Sequence, residues 1–175
     1  LTGLDLSNAT SLLEIGELAF SSTDLEGTLV IPAKLATIGI CAFDNTKLTG
    51  LDLSKAASLV EIGYGAFYSS GLAGTLVIPS TVTKIGSEAF WNTELTGLDL
   101  SNATSLVEIG DGAFSDTNLV GTLVIPRTVA TIGNGAFDNT KLTRLDLSKA
   151  TSLVEMGDAA SSEATRRDLS ATFSQ

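Results

Sequence analysis

Histidine does not occur in this chain, and cysteine occurs once, at Cys41. Without histidine there is no histidine-based triad, no imidazole general base and little scope for the usual zinc and iron sites. One thiol forms no intramolecular disulfide and no paired-cysteine metal knuckle. Basic residues are also scarce: ten Lys and Arg stand against twenty Asp and Glu, a net charge of -10. Such a balance argues against gripping a nucleic-acid backbone, which needs cations to displace condensed counterions. No apolar run reaches the length of a membrane span. Aromatic residues make up 6% and charged residues 17% of the chain, both low for a globular protein. Neither a GxSxG elbow nor a GxxxxGK[ST] phosphate loop is present. The GYG, GDG and GNG triplets ending at Gly65, Gly112 and Gly135 lack the third glycine of a dinucleotide fingerprint. No catalysis, cofactor or metal is expected. The chain begins Leu1-Thr2-Gly3, with no initiator methionine or readable leader. That start suits a fragment, a processed chain or an incomplete gene model, and leaves the compartment unread.

What is present is repetition. LTGLDLS starts at Leu1, Leu48 and Leu95 and returns as LTRLDLS at Leu142, each start 47 residues after the last. Between these words lies GTLVIP, with Thr28 to Pro32 recurring at Thr75 to Pro79 and Thr122 to Pro126. Each 47-residue unit divides into rungs of 24 and 23 residues, and both rungs end in IGxxAF, closing on Phe20, Phe43, Phe67, Phe90, Phe114 and Phe137. A seventh rung starts at Leu142 and decays, with Ser161 where phenylalanine is due. A rung this short cannot bury its own apolar face and must stack on its neighbours. Leu4 and Leu6, or Leu29 and Ile31, have the period of two of a short strand. The three prolines, Pro32, Pro79 and Pro126, all stand where that strand must end. The spacing of Leu12, Ile15, Ala19 and Phe20 predicts a tight turn with a short helical or 3₁₀ piece. The glycine after each isoleucine reads as a turn residue. The expected architecture is thus a seven-rung solenoid with a parallel sheet on one side and a phenylalanine column in its core.

At LTGLDLSxATSLVEIGxGAF and xGTLVIPxTVxxIGxxAF the chain resembles the BspA-type leucine-rich repeats, whose rung looks like Lxx(V/L)x(I/L)PxxVxxIGxxAFxxC. The resemblance covers residues 1–157. It departs from the family pattern at the late cysteine, which is here Thr23, Thr46, Ser70, Thr93, Thr117 or Thr140, and at the proline, kept only in alternate rungs. It implies an α/β-type leucine-rich repeat solenoid that is extracellular or at a cell surface and binds proteins or cells. No catalytic residue is carried over. Residues 158–175 fall outside the pattern and are expected to be a degenerate cap or a disordered tail.

Three features stand out for function. Asp5, Asp52, Asp99 and Asp146 occupy the outward strand place on every second rung, and Glu14, Glu61, Glu108 and Glu155 precede the Ile-Gly (in the last rung Met-Gly) of the same rungs. Two strand spacings, roughly 9–10 Å, separate the aspartates, too far for one calcium ion to bridge. Both rows read first as solvated faces, the aspartates secondarily as an acidic stripe. Asn8-Ala9-Thr10 and Asn102-Ala103-Thr104 match the N-glycosylation acceptor pattern, with turn chemistry as the plainer reading. Finally, residues 48–94 and 95–141 differ at 15 of 47 places, and the bulkiest departures are Tyr64, Tyr68 and Trp91. Tyr68 and Trp91 share a place that elsewhere holds Ser21, Asp44, Ser115 or Asp138. They are expected to face solvent, within roughly 5–7 Å of each other across one rung step. Adjacent Tyr and Trp are favoured contact residues, so these three are the candidate partner patch. The functional expectation is a non-catalytic protein-binding or adhesion module. The alternative is a structural spacer or a rod that self-associates end to end.

Overall fold

The computed structural model describes residues 1–158 and 160. Their strands are β1 (Glu14–Ile15), β2 (Glu26–Val30), β3 (Thr37–Ile38), β4 (Lys47–Asp52), β5 (Glu61–Ile62), β6 (Ala73–Val77), β7 (Lys84–Ile85), β8 (Glu94–Asp99), β9 (Glu108–Ile109), β10 (Val120–Val124), β11 (Thr131–Ile132), β12 (Lys141–Asp146) and β13 (Glu155–Met156). They wind into a solenoid with two parallel ladders. The odd-numbered strands form one continuous seven-stranded sheet in sequence order. Its register aligns Ile15, Ile38, Ile62, Ile85, Ile109, Ile132 and Met156.

The leucine-word strands behave differently from the single sheet that the sequence suggests. They pair only two by two, β2 with β4, β6 with β8, and β10 with β12. Each pair carries a bulge after Gly27, Gly74 or Gly121, whose φ of 78–79° only glycine adopts without strain. The continuous sheet lies instead at the Ile-Gly place, so the glutamate row sits on a ladder rather than in a turn. Glycine there serves close approach. A Cβ built on Gly86 would lie 2.6 Å from the Gly63 carbonyl carbon and the Tyr64 nitrogen.

The IGxxAF segments form turns, and no helix occurs among the described residues. Each turn puts two residues four apart in the left-handed region, as at Cys41 (φ 49°) and Asn45 (φ 51°), which a right-handed helical piece excludes. Alternate amides then face the next rung. Cys41, Phe43 and Asn45 donate to the carbonyls of Tyr64, Ala66 and Tyr68, each at 2.8 Å, and the pattern recurs along the array. Between these amides the phenylalanine side chains point inward. Phe43, Phe67, Phe90, Phe114 and Phe137 are fully buried, and the column from Phe20 onward stacks with ring centroids 5.2–5.7 Å apart. The threonine in place of the family cysteine closes the turn. Thr46, Thr93 and Thr117 donate to the carbonyls of Phe43, Phe90 and Phe114 at 2.8–3.0 Å. Replacing Thr93 by Val keeps the shape and removes the donor from a buried carbonyl. The unfolding midpoint in urea should fall, by about 1–2 kcal/mol of stability, and an unchanged midpoint would contradict a role for the hydroxyl. Ser70, at the same place, is buried with no partner for its Oγ. The expected cap or tail over 158–175 falls outside the described residues except for Asp158 and Ala160.

Candidate functional site

Tyr68 and Trp91 follow Phe67 and Phe90 on adjacent rungs, so the rung step that stacks the phenylalanines also stacks them. Their ring centroids are 4.6 Å apart with planes 15° from parallel, tighter than the spacing the sequence suggests. Both are half-buried rather than fully solvent-facing. Tyr64 is 46% exposed, and its hydroxyl donates to Glu88 Oε2 on the next rung at 2.9 Å. That hydrogen bond, with the nearby carboxylate charge, holds the phenol above its ordinary range. The three aromatics therefore lie together on the turn edge, across two rungs. Asp44 occupies the ridge place on the preceding rung. Its Oδ2 accepts from Asn45 Nδ2 at 3.0 Å, and its Oδ1 is buried with no hydrogen-bond partner. Asp44 is a member of the site that residue identity alone did not mark, because aspartate at an outer turn reads as ordinary solvation.

Cys41 borders the same group. A Cβ on Gly65 would lie 3.1 Å from Cys41 Sγ and 3.7 Å from Tyr68 Cβ. The thiol is half-buried, and burial pushes its pKa up, followed by the charges of Asp44, Glu17 and Glu88. It is a protonated thiol at neutral pH.

The aspartate row lies on another edge and does separate work. Asp5, Asp52, Asp99 and Asp146 each accept the backbone N–H of the serine two residues on, Ser7, Ser54, Ser101 and Ser148, at 2.8–2.9 Å. These Asx turns follow each leucine word, and at Asp52, Asp99 and Asp146 they end strands β4, β8 and β12. Asp99 also lines an open groove of about 950 Å³ between β8 and β10, with Val124, Arg127 and Lys149. Among the described residues no three Cys, Asp or Glu side chains are grouped as metal ligands. The serine hydrogen bonds hold all four carboxyls below their ordinary pKa. A lowered folded-state pKa contributes stability that is present above the unfolded pKa and lost as pH falls through the folded one. Stability should therefore drop as pH falls below about 4. The drop should be shallower in Asp52→Ala/Asp99→Ala, measured by thermal midpoint against pH; parallel curves would refute this linkage. Asn8 and Asn102 are exposed in the turns after the first and third LTGLDLS words. No helix among the described residues is long and apolar enough to cross a membrane.

Parallel rungs, alternating strand pairs and an inner phenylalanine column define a leucine-rich repeat solenoid. The BspA type leucine-rich repeat region matches in six copies over residues 2–106 and 95–165. The chain belongs to that family. It is also similar in fold to the crystal structure of the pneumococcal vaccine antigen PcpA, with a TM-score of 0.65 and 24% identity. The similarity covers 76% of this chain and 35% of that one, so this chain spans about a third of that protein's length. No curated protein matches the sequence.

Proposed function

We propose that this array is a non-catalytic recognition module, displayed at a cell surface or outside the cell, that contacts a protein partner through Tyr64, Tyr68 and Trp91. The carrying observation is the Tyr68–Trp91 stack at a turn place that other rungs fill with serine or aspartate. Stacked rings offer large apolar area with few rotamers to freeze, which suits a binding ridge. Family membership supports a scaffold without catalytic residues, and likeness to a vaccine antigen fits exposure outside the cell. A partner isolated from extracellular material with the array as bait provides the test. Trp91→Ala should weaken its binding by at least about 1–2 kcal/mol, and Asp99→Asn should have little effect. Equal losses would move the contact to the strand edge. The alternative of a purely structural rod draws on the near-constant LTGLDLS word and the constant GTLVIP word. It would be favoured by concentration-dependent self-association that Trp91→Ala leaves intact.

A further inference from the structure

The ridge lies in a region of strictly one charge. Turn residues 16–23, 39–46, 63–70, 86–93, 110–117 and 133–140 contain Glu17, Asp44, Glu88, Asp111, Asp116 and Asp138 and no Lys or Arg. The ion pairs among the described residues are Lys47–Asp24, Lys84–Glu108 and Arg144–Asp146, and none of them involves these six carboxylates. At the ridge the arrangement is specific. Asp44, half-buried, shares the Tyr68–Trp91 column; its Oδ1 is buried and its Oδ2 accepts from Asn45, and no cation among the described residues pairs with its charge. Glu88 lies three residues before Trp91 and holds Tyr64 in place. Both are near enough to Cys41 to raise its pKa.

The chemistry of the occupant follows from what each kind of partner does here. An apolar partner would cover the rings but strip water from Asp44 and Glu88 without replacing it. An acidic partner would be repelled. A cation is drawn to the negative faces of the rings and to the carboxylates together. A planar guanidinium also stacks on an aromatic surface, which an ammonium does not.

We infer that the ridge docks a basic segment of its protein partner, with an arginine or lysine side chain lying against Tyr68 and Trp91 and facing Asp44 and Glu88. This rests on the reading of the ridge as the contact surface and adds the chemistry of what contacts it.

Trp91 is the single tryptophan, so its emission reports on the ridge directly. The full chain is titrated with short alternating Ser-Arg, Ser-Glu and Ser-Gly peptides. The Ser-Arg peptide should produce a saturable change in emission and the other two none. Its affinity should fall about 2–5-fold in Tyr68→Ser, the scale of an exposed cation–ring contact. It should fall further in Asp44→Asn/Glu88→Gln, and on raising salt from about 0.05 M to about 0.5 M. Glu14→Gln/Glu155→Gln removes the same charge from β1 and β13 and should change it little. An unaltered emission with Ser-Arg, an equal response to Ser-Gly, or equal weakening by the remote pair would each overturn the inference. The isolated partner separates this from the broader reading. Binding that needs Trp91 but ignores salt and Ser-Arg competition keeps the contact surface and refutes the basic segment. Binding indifferent to Trp91→Ala refutes the contact surface itself.

Discussion

Phe90→Ala is expected to destabilise the array by about 3–5 kcal/mol, the range of large aromatic truncations in packed cores. Phe90 is fully buried, with Phe67 at 5.3 Å on one side and Phe114 at 5.2 Å on the other. The cavity cannot close by movement of one neighbour. The backbone on both sides is pinned by the Phe67 N–H to Ala89 carbonyl bond and the Phe90 N–H to Ala113 carbonyl bond. The remaining rings would face an empty slot about one ring thick, losing dispersion contacts that nothing replaces. Urea denaturation of the two proteins measures the difference. An unchanged midpoint would show that the column contributes little to cohesion. Phe20 provides a comparison, since it stacks on Phe43 alone among the described rings and is only half-buried. Its truncation should cost clearly less.

Gly86→Ala is the second large effect, and it adds atoms rather than removing them. The new methyl would lie 2.6 Å from two backbone atoms of the preceding rung, which cannot rotate away. The rungs must part locally, which breaks the β5–β7 ladder next to Ile62 and Ile85. The expected loss is about 3 kcal/mol, at the upper end of ordinary overpacking. It exceeds the fraction of a kcal/mol that alanine gains by restricting the unfolded chain. Gly16→Ala is the matched control: it occupies the same place in the first rung, with nothing within 4 Å of its added carbon. Near-equal destabilisation by the two would mean that the effect lies in local backbone preference and not in rung contact.

The rung length, the phenylalanine column and the stacking of Tyr68 on Trp91 were all legible in the sequence, because translation by one rung carries any chemical pattern onto itself. Two kinds of feature were not. The continuous sheet runs through two-residue strands such as Glu61–Ile62, too short to show a period of two. The conformation of the turns depends on left-handed φ at Cys41, Glu88 and Asn92. Cysteine and glutamate carry no local signal for that conformation, and the backbone hydrogen bonds that their N–H groups donate to the next rung hold them in it. The same cause hid part of the site. Asp44 is distinguished by an Oδ1 that meets no donor, and a residue's lack of partners is a property of its surroundings.

The pairing of strands two by two has a consequence for how such an array grows. Each bonded pair joins a GTLVIP strand to the LTGLDLS strand of the next rung. The smallest segment that can be inserted or lost with every remaining strand keeping its kind of neighbour is therefore a doublet. Gene rearrangement in steps of 47 residues leaves each surviving joint chemically unchanged, whereas a step of one rung brings two strands of the same word together. Whole doublets can thus be added to or removed from such an array at little folding cost. The aromatic ridge has no such freedom, because its two rings belong to successive rungs and a breakpoint between them would erase the surface while sparing the scaffold.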